Sequence, residues 1–249
     1  VVIGGGSGGA TAAKYLAKDA AGKLAVTLVE PYDTFITCFH SNLYVGGYKK
    51  LSEITHNYKK IVAGGVTHAK TRAVSIDRAK KTVKLADGKT LTYDRLVVSP
   101  GIDLKFESVA GYSEKAADVM PHAWKAGKQT ELLVKQLNAL KDGATIVMIA
   151  PPNPYRCPPG PYERVSMFAH VLKAKGHKKS KIIVLDPKET FSKQALFLEG
   201  WQKHYPGMVE WQDPKQHGGI KGIDVKKIKN ADKITSLFTT GTVGGKAVG

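Results

Sequence analysis

The sequence predicts an α/β protein of the doubly wound kind, built from two successive strand, turn, helix, strand units. Three observations carry this reading. An apolar strand at residues 1–3 runs into the glycine-rich stretch 4–9 and then into an Ala-rich helix. A second unit of the same order begins near Gly143. The strands of both units are nearly continuous apolar runs, the pattern of parallel strands covered on both faces.

The elements follow in order. After the first helix, which carries Ala10, Ala13, Tyr15 and Leu16, residues 24–30 form the second strand of the first unit. Residues 31–58 are rich in Tyr, His and Gly and predict no regular element. Short β-like segments follow at 66–72, 73–77 and 82–85, and Asp87 with Gly88 is a hairpin turn signal before 90–93. Residues 96–99 read as a buried strand that stops at Pro100 and Gly101. In the second unit, 145–150 is apolar, 151–161 is a proline-rich loop, 165–175 has helical spacing, and 181–186 is another apolar strand. From Lys215 onward the sequence thins into Gly and Lys, and no element is placed there.

A chain of 249 residues is long enough for one large domain or two ordinary ones, each with a substantial core. Its 38 Lys and Arg against 21 Asp and Glu leave a charge of +17, which attracts anions, acidic proteins or nucleic acid. The lysines are scattered singly and in pairs such as Lys49 and Lys50, Lys80 and Lys81, Lys178 and Lys179, without a basic stripe interleaved with aromatics. Nucleic acid is therefore not an expected partner. Two cysteines, Cys38 and Cys157, are too few for a disulfide scaffold, and their separation does not resemble zinc-ligand spacing. His40, His56 and His68 are not at ligand spacing either, so no metal site is expected. No apolar run approaches the roughly 20 residues that cross a bilayer, so no transmembrane segment is expected. The chain opens without Met on its first buried strand, which predicts residues upstream, either a cleaved export signal or a few disordered residues.

Gly4, Gly6 and Gly9 spell G-x-G-x-x-G directly after a strand and at the start of a helix, enclosing Ser7 and Gly8. Gly4 permits the tight turn, Gly6 lets backbone approach a pyrophosphate, and Gly9 lets helix pack on strand. The helix N-terminus offers free N–H groups and partial positive charge to the phosphates. Glu30 ends the second strand 21 residues after Gly9, where a carboxylate accepts hydrogen bonds from an adenosine ribose. The alternative is a glycine turn of no function with a solvated Glu. The fingerprint alone does not separate FAD from NAD. Tyr93, Asp94, Leu96, Val97, Val98, Ser99, Pro100 and Gly101 resemble the segment that returns to the flavin in flavoproteins with two dinucleotide-binding domains. The loop after Ala150 runs Pro151, Pro152, Asn153, Pro154, Tyr155, Arg156, Cys157, Pro158, Pro159, Gly160, and proline has no N–H to give a phosphate. A nicotinamide cradle is thus not expected in the second unit.

Cys157 lies between Arg156 and Pro158. It is either a thiol whose thiolate is favoured by the guanidinium and a nearby helix N-terminus, or an inert loop residue. Glu163, at the helix start, either accepts a proton or complements the helix dipole. Cys38, shortly after Glu30, either lies along the cofactor or is a buried structural cysteine.

Segments 1–15, 37–47, 94–101 and 155–164 resemble the flavin-binding subunit of flavocytochrome c sulfide dehydrogenase, a relative of the sulfide:quinone oxidoreductases, and the similarity runs to about Asp213. The resemblance implies FAD attached covalently through Cys38, a redox-active Cys157, and Glu163 as the acidic residue closing its loop. It implies a cofactor-binding set of Gly4, Gly6, Ser7, Gly8, Gly9, Glu30, Cys38, Asn42, Val74, Ser99 and Gly101. It further implies oxidation of sulfide at the flavin, electron transfer to a c-type cytochrome subunit carrying haem c, and a periplasmic location. The division expected is 1–110 for the first part of the FAD-binding domain, 111–214 for the second Rossmann-like domain with the redox cysteine, and 215–249 as an unassigned tail. Two departures stand out. No Cys follows Cys157 to pair with it, and the family's later flavin motif has only a faint echo in Thr239, Thr240 and Gly241. They predict a C-terminal part that is incomplete, or a divergent relative. Two alternatives stay open: a sulfide:quinone oxidoreductase, which calls for a membrane-docking segment not evident here, and a non-catalytic flavin-bearing electron-transfer subunit.

Overall fold

The computed structural model describes residues 1–122, 124–224 and 234–239. It begins with β1 (Val2–Ile3), α1 (Ser7–Ala20), β2 (Val26–Val29), β3 (Thr34–Ile36) and α2 (Ser41–Val45). There follow β4 (Thr55–Asn57), α3 (Lys59–Ala63), β5 (Val66–Ala69), β6 (Ala73–Asp77), β7 (Thr82–Leu85), β8 (Thr90–Thr92) and β9 (Val97–Val98). The later part holds α4 (Lys128–Ala139), β10 (Thr145–Ile149), α5 (Gly160–Ala174), β11 (Lys181–Leu185), α6 (Gln194–His204), β12 (Val209–Gln212), α7 (Pro214–His217) and β13 (Ile234–Thr239). Two compact units result, one of Val1–Thr37 with Leu51–Ile102 and one of Cys38–Lys50 with Asp103–Gly249.

In the first unit, four parallel strands stand in the order β5-β2-β1-β9, with Val2 opposite both Leu28 and Val97. Val2, Ala13, Val26, Leu28, Tyr58 and Val66 form the core between this sheet and α1. The helix reaches the sheet because Gly9 lacks a side chain: a Cβ there would lie 1.8 Å from the Gly4 carbonyl oxygen. A second cluster, of Val29, Val83 and Leu85, packs the antiparallel meander β6-β7-β8 onto the unit. Asp87 and Gly88 turn this hairpin as expected, with Gly88 at φ +87°.

The second unit repeats the parallel plan in the order β12-β11-β10-β13. Ile146, Met148, Ile182 and Val184 are fully buried against Leu133 and Leu137 of α4 and Val165, Phe168 and Leu172 of α5. Val45 of α2 belongs to this same cluster, which is why the short segment Cys38–Lys50 travels with the second unit.

Three expectations need correction. The stretch 31–58 does contain regular elements, β3 paired antiparallel with β4 and the helix α2, each too short to show periodicity. Helix α5 starts at Gly160, five residues earlier than its apolar spacing indicates, because Pro161 at its second position has a φ already suited to a helix. The tail from Lys215 is not empty of structure: α7 ends at His217, and β13 pairs with β10 across the full length of that strand. Thr239 closes β13, while Thr240 and Gly241 lie outside the described residues.

Candidate functional site

In the first unit the glycine loop is shaped as its spacing requires. Gly4 has φ +94° and sits so close to β9 that a Cβ would lie 2.0 Å from the Ser99 carbonyl oxygen. Gly8 also faces Ser99, whose Oγ would be 2.8 Å from an added Cβ. Gly6 is different: a Cβ would meet only the Phe35 ring, at 3.5 Å, so nothing in the protein demands glycine there. Gly6 is the N-cap of α1, no side chain caps the helix, and its first turn, from Ser7, holds no carboxylate. The amides at this end therefore remain available to an anion. The Glu30 carboxylate accepts hydrogen bonds from Gly5 N at 2.7 Å and Tyr32 N at 3.0 Å, one on each oxygen. Each oxygen keeps a second lone pair for a ribose hydroxyl. These residues fit a dinucleotide, with phosphates on the loop and ribose on Glu30. Gly101 follows β9 at φ +83°, and Val74 stands exposed on β6 in the meander.

Sequence reasoning missed Tyr58. Its hydroxyl donates to the Gly5 carbonyl at 2.8 Å, and burial followed by the charge of Glu30 pushes its pKa well up. The side chain holds the loop from beneath.

In the second unit, Cys38 opens a short 3-10 turn (Cys38–His40) before α2, and Cys157 lies just before α5. Both are free and surface-accessible, which removes the reading of Cys38 as a buried structural thiol. Cys157 adopts φ +55°, a left-handed conformation that costs a side-chain-bearing residue roughly 1–2 kcal/mol. The loop holds it there: Gly160 N donates to the Cys157 carbonyl at 2.8 Å, and Tyr155 Oη donates to the Pro158 carbonyl at 2.7 Å. An added Cβ on Gly160 would come within 3.1 Å of Cys157 Sγ, so the glycine leaves room for the sulfur at the helix start.

The electrostatics at this sulfur run opposite to the sequence expectation. Surrounding protein, then the carboxylate of Glu163, raise the Cys157 pKa, and the Gly160 amide and the Arg164 guanidinium oppose them. The cation that acts is Arg164, one turn into α5, rather than the sequence neighbour Arg156, which points to solvent.

Arg164 is the second residue that sequence reasoning passed over. It is buried, with burial lowering its pKa to about 10 against the pull of Cys157, Cys38 and Glu163. Its Nη2 donates to Ser41 Oγ at 2.8 Å, and its Nε donates to Asn42 Oδ1 at 2.9 Å. Ser41 Oγ donates in turn to the Cys38 carbonyl at 2.6 Å, and Asn42 Nδ2 donates to Glu163 Oε2 at 3.1 Å. One connected network thus joins Cys38, Ser41, Asn42, Glu163 and Arg164. Asn42 bridges Arg164 and Glu163 within it.

The second unit uses its strand-end carboxylate inwardly. Asp186, directly after β11, is fully buried and accepts from Tyr162 Oη at 2.5 Å, Trp211 Nε1 at 3.0 Å and the Lys188 amide at 3.1 Å. Lys188 Nζ pairs with the same carboxylate and donates to the Pro151 carbonyl at 2.6 Å. No group of His, Cys, Asp and Glu among the described residues could hold a metal ion.

Both parts of the chain resemble known proteins. Residues 1–136 match the family model of pyridine nucleotide-disulphide oxidoreductases, and residues 130–242 match that of the central part of the sulfide dehydrogenase [flavocytochrome c] flavoprotein chain. The sulfide dehydrogenase flavoprotein chain of Chlorobaculum thiosulfatiphilum is 57% identical over 42 residues, 17% of this chain and 85% of that sequence. The mitochondrial sulfide:quinone oxidoreductase of Mus musculus is 27% identical over 161 residues, 65% of this chain and 35% of that protein. The solved sulfide:quinone oxidoreductase of Aquifex aeolicus shares the fold, with a TM-score of 0.79 at 20% identity over 98% of this chain and 58% of that one. The chain spans little more than a third of the length of the mitochondrial enzymes it matches. With a family model covering more than half its residues, the chain belongs to the pyridine nucleotide-disulphide oxidoreductases, as a flavoprotein with a central region of the sulfide dehydrogenase type.

Proposed function

We propose that this chain oxidises sulfide with FAD and passes the electrons to a c-type cytochrome subunit carrying haem c, in the periplasm. The observation that carries this reading is the accessible Cys157 thiol, held in a left-handed turn beside Glu163 and Arg164. The residues that would hold FAD are the Gly4, Gly6, Ser7, Gly8 and Gly9 loop and Glu30, with Ser99, Gly101, Val74 and Asn42 as further contacts and Cys38 as the covalent attachment. Once bound, the flavin supplies a two-electron acceptor that can release electrons singly.

The chain's own residues perform the sulfur chemistry. Positive potential from the +17 surplus draws in hydrosulfide. The Cys157 thiolate and HS⁻ would give a Cys157 persulfide, one proton and two electrons, with bound flavin as the acceptor of the electron pair, so a new S–S bond forms as sulfur is oxidised. Glu163, fixed by Asn42, takes the proton. A hydroxyl cannot accept and release sulfur in this way, so Cys157→Ser is the decisive variant. Stopped-flow mixing with sulfide should bleach the flavin of the parent and leave that of Cys157→Ser oxidised, with flavin content unchanged. Full-speed bleaching in the variant would show that sulfide bypasses the thiol.

The likeness to sulfide:quinone oxidoreductases supports a second acceptor, a membrane quinone. Among the described residues no helix is long and apolar enough to cross a membrane. Turnover with cytochrome c but not with a soluble quinone favours the first reading, and the reverse result the second.

A further inference from the structure

We propose that Arg164 is the positioning residue of the two-cysteine site: its buried guanidinium anchors the Cys38 turn through Ser41 and Asn42 and supplies the fixed positive charge for a thiolate at Cys157. The inference rests on Cys157 being the reacting thiol and adds the group that prepares it. Sequence alone assigns that charge to Arg156, the adjacent residue.

Geometry separates the two arginines. Arg156 is exposed, where water and salt weaken its field. Arg164 is buried, makes two directed hydrogen bonds to consecutive residues of α2, and lies within electrostatic reach of Cys157, Cys38 and Glu163 alike. A guanidinium offers donors in a fixed fork, so one side chain can hold Ser41 and Asn42 at once. Through Ser41 the hold extends to the Cys38 carbonyl, and through Asn42 to the Glu163 carboxylate. The charged and titratable groups facing Cys157 are Glu163, Cys38, Arg164 and Tyr155, and His122, buried and uncharged near neutrality, is the further group facing Arg164. Among the described residues Arg164 is the cation that acts on that sulfur, the smallest of the influences on it in the present arrangement.

The test follows iodoacetamide alkylation of Cys157 in the flavin-loaded full chain over about pH 6 to 10, read by mass on the Cys157 peptide. Arg164→Met should move the midpoint of the profile to higher pH. At neutral pH it should slow alkylation, by less than the loss of thiolate because the thiolate that remains is more nucleophilic. Arg164→Lys should return the rate toward that of the parent, because the charge returns. Arg156→Met should leave the profile in place. Unchanged alkylation in a folded Arg164→Met protein, or a slowed Arg156→Met, overturns the proposal. Alkylation requires no sulfide, so a protein with the expected profile that fails to oxidise sulfide defeats the proposed function alone.

Discussion

Replacing Glu163 by Gln should make Cys157 more reactive and, on the proposed function, flavin reduction by sulfide slower. The substitution removes one negative charge but keeps the side-chain carbonyl, so Asn42 Nδ2 still has an acceptor in place of Glu163 Oε2 at 3.1 Å. After burial, the Glu163 carboxylate is the largest influence holding the Cys157 pKa up. Its loss therefore lowers that pKa, and more thiolate is present at any pH below the midpoint. Nucleophilicity falls with basicity by a coefficient of about 0.4–0.5, so a tenfold gain in thiolate becomes roughly a threefold gain in rate. Iodoacetamide alkylation at neutral pH should accordingly rise, by less than the gain in thiolate. Flavin reduction by sulfide should fall, because the proton released from hydrosulfide has lost its acceptor, a role worth about 10²-fold or more where general bases have been removed. Both rates come from the same preparation, one by mass and one by stopped-flow absorbance. Alkylation that stays constant or slows would refute the electrostatic argument, whatever turnover does.

Other outcomes follow from the same structure. Gly6→Val should fold, since its Cβ meets only the Phe35 ring at 3.5 Å, yet lose flavin on gel filtration because the side chain occupies the pyrophosphate position; normal flavin content would sink that placement. Neither NADH nor NADPH should reduce the flavin anaerobically, because the Asp186 carboxylate already accepts from Tyr162, Trp211 and Lys188 and the preceding loop is rich in proline; rapid bleaching by either would revive a pyridine-nucleotide reductase. Acid precipitation should leave yellow protein in the parent and colourless protein in Cys38→Ser; free FAD from the parent would count against covalent attachment. Burial, helped by Lys125 and Arg164, pushes the pKa of His122 down to about 4, while the unfolded side chain titrates near 6.5. Below about 6.5 the unfolded chain binds a proton that the folded one does not, so stability falls between about pH 6.5 and pH 4, by up to about 3 kcal/mol. Urea titrations of the parent and His122→Gln should diverge in that window, and parallel curves would contradict this.

The first nucleotide motif was legible in the sequence because its parts are local. Gly4, Gly6 and Gly9 lie within one turn, and Glu30 follows one helix and one strand later. Both conditions are set by element lengths, which periodicity reports. The thiol site was legible only in its named residues. Arg164 and Asn42 are 122 positions apart, and the bond from Asn42 to Glu163 spans 121, so no window of sequence contains the network. Arg156 was the attractive partner for Cys157 because it is adjacent in the chain, yet a helix brings the residue one turn in, Arg164, to bear on that sulfur instead. The elements of 31–58 escaped for a related reason. Segments of three to five residues carry no period, and Thr37 N finds its acceptor at Ile54, beyond any local signal.

Asp186 also bears on how this architecture can change. The two units share one plan, but the first leaves its strand-end carboxylate facing outward while the second has sealed its own with a phenol, an indole and an ammonium. A seal made from three elements, α5, β12 and the turn after β11, cannot be opened by one substitution. Removing Lys188 alone would leave a buried charge uncompensated, at a cost of about 3–5 kcal/mol, before any ligand gained a foothold. On the reading that this unit takes no nicotinamide, gaining one would call for replacements in all three elements, with stability lost at the first of them. The sealed carboxylate would then act as a ratchet against that change.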